Sequence, residues 1–223
     1  MPDAPNRRQS ARYLIQLPIL HRAGQPGHGK VGVGWTRNLC IGGACVELAE
    51  QLQKKTSLLA RLQTDRGAID VEAQVVWAGN PSPTGGGILH GVAFAEVTPE
   101  QLQSLQTLLI AKGETRQAGV RLPLELAVTC QPKDQICSPL EGQTGNLSRG
   151  GLLLRLPLVL ALDTEVELTL HTPGGPLTAE GKIVWVDPPE RRTPGEQIRH
   201  GLRFTAIGWS TTLSLGLVLA EPL

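Results

Sequence analysis

The sequence predicts an all-β protein of two tandem antiparallel barrels, each six-stranded and small, with a helix closing the first. Three observations predict it. A segment of about 100 residues occurs twice in phase. Short runs alternate apolar and polar residues at the period of a half-buried strand. The 26 glycines and 17 prolines are plentiful enough to punctuate many short strands.

The repeat is read from two stretches, "RNLCIGG" at 37–43 and "GNLSRGG" at 145–151. From Asn38 to Trp77 is 77 − 38 = 39 residues, and from Asn146 to Trp185 is 185 − 146 = 39. The Trp surroundings match, "AQVVWAG" against "GKIVWVD", and "HGVAF" at 90–94 matches "HGLRF" at 200–204. Those last offsets are 90 − 38 = 52 and 200 − 146 = 54. The two extra residues fall in a Pro/Gly-rich loop, where insertion costs little. Upstream, Arg12 precedes Asn38 by 38 − 12 = 26 and Arg121 precedes Asn146 by 146 − 121 = 25. The chain divides accordingly into a first barrel at 7–112, a link and second N-terminal arm at 113–120, and a second barrel at 121–223.

Element by element, "YLIQLPILHR" and "RLPLELAVTC" open the two units as alternating strands. "VGVGW" is a further strand, and "ACVEL" and "LLLRL" follow the two Gly turns. "SLLARLQT" with "IDVEAQVVWAG" reads as a hairpin, as does "EVELTLHTPGGPLTAEGKIVWVD" with "PGG" at its tip. "GVAFAEV" ends the first barrel. "TPEQLQSLQTLLIAKG" at 98–113 changes period: Thr98 caps, Pro99 takes the first helical position, and Leu102, Leu105, Leu108 and Leu109 share a face. Gly113 ends that helix. "WSTTLSLGLVLAEPL" reads as a shorter and weaker counterpart, since Gly216 disfavours helix.

Lys+Arg (21) and Asp+Glu (20) nearly cancel, so the net charge of +1 gives no reason to expect DNA, RNA or an anionic membrane surface as partner. Aromatic residues at 3% are too few for serial base stacking. The start carries charge without an apolar h-region, and no apolar run reaches the ~18 residues of a span. "LLLRLPLVLAL" at 152–162 comes nearest, interrupted by Arg155 and Pro157. The expectation is a soluble cytoplasmic protein without membrane insertion. Cys40, Cys45, Cys130 and Cys137 form no dense framework; Cys130 and Cys137 stand where a hairpin can bring them together, and reduced thiols are expected in cytosol.

No constellation for catalysis or metal binding stands out. His90 and His200 share one repeat position and are read as packing or hydrogen-bonding residues, and Trp77 and Trp185 as core or barrel-end residues. "GQPGHGKV" at 24–31 has the spacing of a phosphate loop, but Val31 replaces the magnesium-binding hydroxyl and a strand follows where a helix is required.

Arginines upstream of an Asn-x-(Ser/Cys)-x-x-Gly stretch, followed by a Trp hairpin and a Gly-x-x-Phe strand, occur in this order in both units. In that arrangement the chain resembles the PilZ domain family, twice over. The family signature is RxxxR followed by (D/N)xSxxG. In the first unit Arg8 and Arg12 match RxxxR, and Asn38 and Gly43 match the second motif with Cys40 in place of Ser. In the second unit Asn146, Ser148 and Gly151 match fully, while Arg116 and Arg121 are five apart and Gln117 stands four before Arg121.

The resemblance implies a small barrel, no enzyme activity, no cofactor, and cyclic di-GMP as ligand. It implies that the arginines grip phosphate or stack on guanine, that Asn meets the guanine edge, that the hydroxyl (or the weaker thiol) adds a contact, and that Gly allows close approach. It further implies that binding orders the arginine arm and signals to a protein partner, with motility, exopolysaccharide synthesis and pilus assembly as outputs. The alternative reading is a degenerate tandem barrel that serves, without ligand, as a protein-interaction module.

Overall fold

The computed structural model describes residues 11–24, 29–81, 85–113, 120–134, 138–192 and 195–220. Arg8, Arg116, Cys137 and most of the 113–120 link lie outside those residues.

The chain forms two compact units. In the first, β1 (Pro18–Ala23), β2 (Val31–Cys40), β3 (Gly43–Leu48), β4 (Ser57–Thr64), β5 (Gly67–Ala78) and β6 (Ile88–Ala95) close into a barrel of order β1-β2-β3-β6-β5-β4. Strand β1 pairs with both β2 and β4, which seals it. In the second, β7 (Ala127–Pro132), β8 (Leu140–Ser148), β9 (Gly151–Leu156), β10 (Glu165–Thr172), β11 (Gly175–Val186) and β12 (Ile198–Ala206) close in the equivalent order β7-β8-β9-β12-β11-β10. Closure leaves neither sheet with an open edge. Inward side chains include Val46, Leu48, Leu62 and Val75 in the first barrel and Leu152, Leu154, Leu168 and Ile183 in the second, all without exposed surface. Each such burial stabilises by roughly 1.5–3 kcal/mol.

The hairpin tips repeat as the sequence suggests. Thr64 and Thr172 each donate their hydroxyl to the carbonyl of the glycine three residues on, at 2.7 and 2.6 Å. Those glycines, Gly67 and Gly175, share an unusual φ of 112° and 113°, open to glycine and strained for other residues.

Helix α1 (Pro99–Gly113) follows the first barrel. Its N-terminus is a reciprocal box: Thr98 N–H donates to Gln101 Oε1 at 2.8 Å and Gln101 N–H to Thr98 Oγ1 at 3.3 Å. Leu105, Leu108 and Leu109 are buried as expected, but Leu102 in the first turn stays exposed. Helix α2 (Trp209–Leu219) follows the second barrel and is a full helix despite Gly216, with Leu215, Gly216 and Leu219 buried. Burial outweighs the intrinsic cost of one glycine, about 1 kcal/mol. No helix among the described residues is long and apolar enough to cross a membrane. Cys40, Cys45 and Cys130 are all buried.

The paired histidines are structural. His90 Nε2 accepts the Leu52 N–H at 3.0 Å and its Nδ1 bonds Ile88 O at 3.0 Å; His200 repeats this with Leu160 N–H at 3.1 Å and Ile198 O at 2.9 Å. Each ring is therefore neutral, with its proton on Nδ1. Burial lowers the pKa of both. His21, at the barrel position that Cys130 occupies in the second unit, is pushed further, to about 4, by burial and then by His90.

These groups bind protons in the unfolded chain below about pH 6.5 but not in the fold. Stability is therefore full above pH 6.5 and declines as pH falls from there toward 4. His21 alone accounts for a loss on the order of 3 kcal/mol across that window. Urea midpoints at pH 7.5 and pH 5 measure it, and His21→Cys is expected to flatten the slope. An unchanged slope in that variant rules the account out.

Candidate functional site

Two β-bulges recur at matching places in both barrels and create the candidate site; the second barrel has a further register shift between Glu180 and Gly181. On β2 the pairing with β3 slips between Thr36 and Asn38, and on β8 the pairing with β9 slips between Thr144 and Asn146. Thr36 and Thr144 point inward with no exposed surface, as do Leu39 and Leu147. Strict alternation would also send the Asn side chains inward; the extra residue, Arg37 or Gly145, turns them out. The second slip falls between Val75 and Trp77 on β5 and between Ile183 and Trp185 on β11. It turns each Trp outward, 41% exposed in both barrels. This corrects the expectation of a core position, while the expected place toward the barrel end holds: each Trp is the second-last residue of its strand.

Asn and Trp meet in one row across four strands. Asn38 pairs with Cys45, Cys45 with Gly91, and Gly91 with Trp77. In the second barrel the row is Asn146, Leu153, Gly201 and Trp185. Paired residues share a face, so each row lies along the outward side of its sheet, with Trp exposed at one end, Asn half-buried at the other, and Cys45, Gly91 and Gly201 covered between them. The glycine in each row leaves room for the indole: a Cβ on Gly91 would overlap the Trp77 ring, and one on Gly201 would lie 3.2 Å from the Trp185 Cβ.

The arms bring one arginine of each unit to the same strip. Tyr13 and Leu39 exchange both backbone hydrogen bonds at 2.9 Å; Leu122 and Leu147 do the same at 2.8 and 2.9 Å. Arg12 and Arg121, one residue earlier, therefore stand beside the stretch that holds Asn38 or Asn146. Both are exposed, and neither has a hydrogen bond or ion pair among the described residues. Arg12 and Arg37 also act on the buried Cys45 thiol, whose pKa burial raises while the two guanidiniums pull it down.

The arm is clamped one step further along by a threonine pair that sequence reasoning missed. Thr36 Oγ1 donates to Ile15 O at 2.6 Å and accepts from Leu17 N–H at 2.8 Å; Thr144 Oγ1 donates to Leu124 O at 2.5 Å and accepts from Leu126 N–H at 2.9 Å. The signal was present: each Thr stands two residues before its Asn, in phase with the repeat. The clamp also shows that Arg12 and Arg121 are equivalent, because the arms share one register from Tyr13 and Leu122 onward.

The remaining motif residues build the turn. Cys40 Sγ donates to Gly43 O at 3.3 Å and Ser148 Oγ to Gly151 O at 2.9 Å, and all four residues are buried. Gly43 and Gly151 themselves lie against the next strand: a Cβ would be 2.2 Å from Val92 O and 2.0 Å from Leu202 O respectively. In the second turn Arg149 stacks its guanidinium over Trp209 of α2, 6.0 Å from the ring centroid. Among the buried polar atoms of this stretch, Oδ1 of Asn38 and of Asn146 has no hydrogen-bond partner among the described residues.

Two closed six-stranded antiparallel barrels, each preceded by an arm paired to its second strand, define a tandem all-β architecture. The PilZ domain family model matches residues 6–111 and again 115–208, and the chain belongs to that family. No curated protein matches the chain. Among solved structures it is similar to Borreliella burgdorferi PlzA, in complex with c-di-GMP, at 13% identity over 93% of this chain and 88% of that one, with a TM-score of 0.41. It is similar also to the Bacillus subtilis inhibitor of motility MotI/DgrA, at 12% identity over 92% and 94% of the two chains and a TM-score of 0.39. A third, the PilZ domain of CeSA from a cellulose-synthesizing bacterium, shares 20% identity over 47% of this chain and 100% of its own, with a TM-score of 0.38.

Proposed function

We propose that the chain is a cyclic di-GMP receptor that binds its ligand on the outer strip of each barrel and passes that binding to a protein partner in motility, exopolysaccharide or pilus control. One observation carries the reading. In both barrels, among the described residues, an asparagine carbonyl is buried without a partner near an exposed arginine whose side chain has none either. An unsatisfied buried acceptor costs about 1–3 kcal/mol, which a ligand N–H recovers on binding. Guanine offers such donors on its Watson–Crick edge, and the Asn amide can answer its acceptors. Arg12 and Arg121 supply planar forks for phosphate or for guanine O6 and N7. Trp77 and Trp185, at the far end of each strip, offer an indole face to a base. Arg8 and Arg116 join them by sequence position. Holding the arm at the strip gives a partner something to read.

Cys40, Ser148, Gly43 and Gly151 serve this site by shaping the hairpin that presents the asparagine. The test is calorimetric titration of cyclic di-GMP into the intact chain, with tryptophan fluorescence in parallel. A saturable heat with a Kd near or below about 10 µM and a change in indole emission are expected. No heat, and no rise in melting temperature with ligand well above that concentration, overturns the reading and leaves the ligand-free interaction module.

A further inference from the structure

We infer that the second barrel carries a further anion pocket next to its Asn146–Trp185 strip, built from Arg155, Arg191, Arg192 and Arg199, for the phosphoryl group of a small molecule. These residues, with Asp187 and Glu196, line a cavity of about 470 Å³. That volume lies within the range of small-ligand sites, roughly 300–1,000 Å³.

The fold does not require this charge. Arg155 and Arg199 are directly opposite each other in the β9–β12 pairing, where like charges destabilise a sheet. The first barrel has the same strands without them. Glu47 stands where Arg155 does, since 47 − 38 and 155 − 146 are both 9. Leu89 stands for Arg199, each just before the repeated His-Gly. Gly79 stands for Asp187, each two residues after the repeated Trp. Arg191 and Arg192 come from the loop that is two residues longer in the second unit. The barrel thus forms equally well with a neutral or acidic surface here, and the arginines need another reason.

Three carboxylates, Asp187, Glu125 and Glu196, stand against the four arginines, so 4 − 3 leaves one positive charge in excess. Asp187, buried, takes Arg199 through two bonds at 2.6 and 3.1 Å, which holds its carboxyl below the usual range. Glu125 takes Arg155 Nη1 at 2.8 Å. Arg192 spends its Nε on the Asp187 carbonyl at 2.8 Å, leaving both terminal nitrogens without partners among the described residues. Arg191 bonds Pro188 O through its backbone N–H at 3.0 Å, and its side chain makes no hydrogen bond or ion pair among the described residues. Asp187 therefore acts as a brace: it fixes Arg199 and, through its backbone, Arg192, so that the unspent forks face one cavity. Planar forks converging in this way suit a tetrahedral dianion better than a solvated surface, where arginines diverge.

The probe is inorganic pyrophosphate titrated into the full chain at low salt, near 50 mM, where charge–charge attraction is least screened. Saturable binding with a Kd below about 1 mM is expected. The double variant Arg191→Ala/Arg192→Ala is expected to weaken it at least about tenfold, with an unchanged melting temperature because both side chains lie outside the core. Asn146→Ala, which breaks the proposed cyclic di-GMP strip, is expected to leave pyrophosphate binding intact, so either reading can fail alone. Absence of saturation, equal binding by the double variant, or loss of binding in Asn146→Ala overturns the inference. Saturable binding of an Asp/Glu-rich peptide without pyrophosphate binding overturns it in favour of an acidic protein segment.

Discussion

Gly151→Ala is expected to destabilise the second barrel by about 3 kcal/mol or more, and Gly43→Ala the first by a similar amount. A Cβ on Gly151 would lie 2.0 Å from the Leu202 carbonyl oxygen, and one on Gly43 2.2 Å from that of Val92. In both cases the obstacle is backbone of the adjacent strand, so no side-chain rotation relieves it. The strand would have to move, and with it the β3–β6 or β9–β12 pairing that closes the barrel. The neighbouring glycines are the control. A Cβ on Gly42 or Gly150 meets nothing within 4 Å, so alanine there is expected to cost under about 0.5 kcal/mol. Differential scanning calorimetry measures both. The pair should differ by more than about 10 °C for a barrel of this size, and equal melting temperatures would show that the strand yields.

Arg12→Ala and Arg121→Ala are expected to weaken cyclic di-GMP binding to their respective barrels by about 10–100-fold, the worth of a lost charge-assisted hydrogen bond or two. Neither change should lower stability, because both side chains are exposed and the arm is held by the backbone of Tyr13 and Leu122 and by the threonine clamp. Lysine is expected to restore little, since an ammonium lacks the planar fork. The second barrel is the more sensitive. Gln117 stands where the first arm has Arg8, so Arg121 carries more of the grip. Titrations of each single variant separate the two sites. An unchanged Kd in both variants, with binding intact in the parent, removes the arginines from the site.

Much of this protein is legible from local sequence. The duplicated spacing from Asn to Trp announces two copies of one unit, and identical spacing between features demands the same fold of both. The strands alternate, the hairpins carry glycine at their tips, and Thr98 with Gln101 begins a helix where the period changes. The histidines were readable as structural because they repeat without any ligand-like neighbour. Leu102 and Gly216 were harder, since whether a helix face is covered depends on what packs against it.

The site divides in the same way. That Asn38, Asn146 and an upstream arginine recur together is a matter of pattern and phase, and it can be read from the residues alone. Which way those side chains point depends on how the strands pair. Alternation is a property of one strand, whereas a bulge exists only in the register between two. The single extra residue at Arg37 or Gly145, and again at Val76 or Val184, reverses the direction of everything after it. This is why Trp77 and Trp185 read as core residues and stand on the surface. It is also why two residues 39 positions apart end in one row, each turned outward by a slip its own strand does not encode.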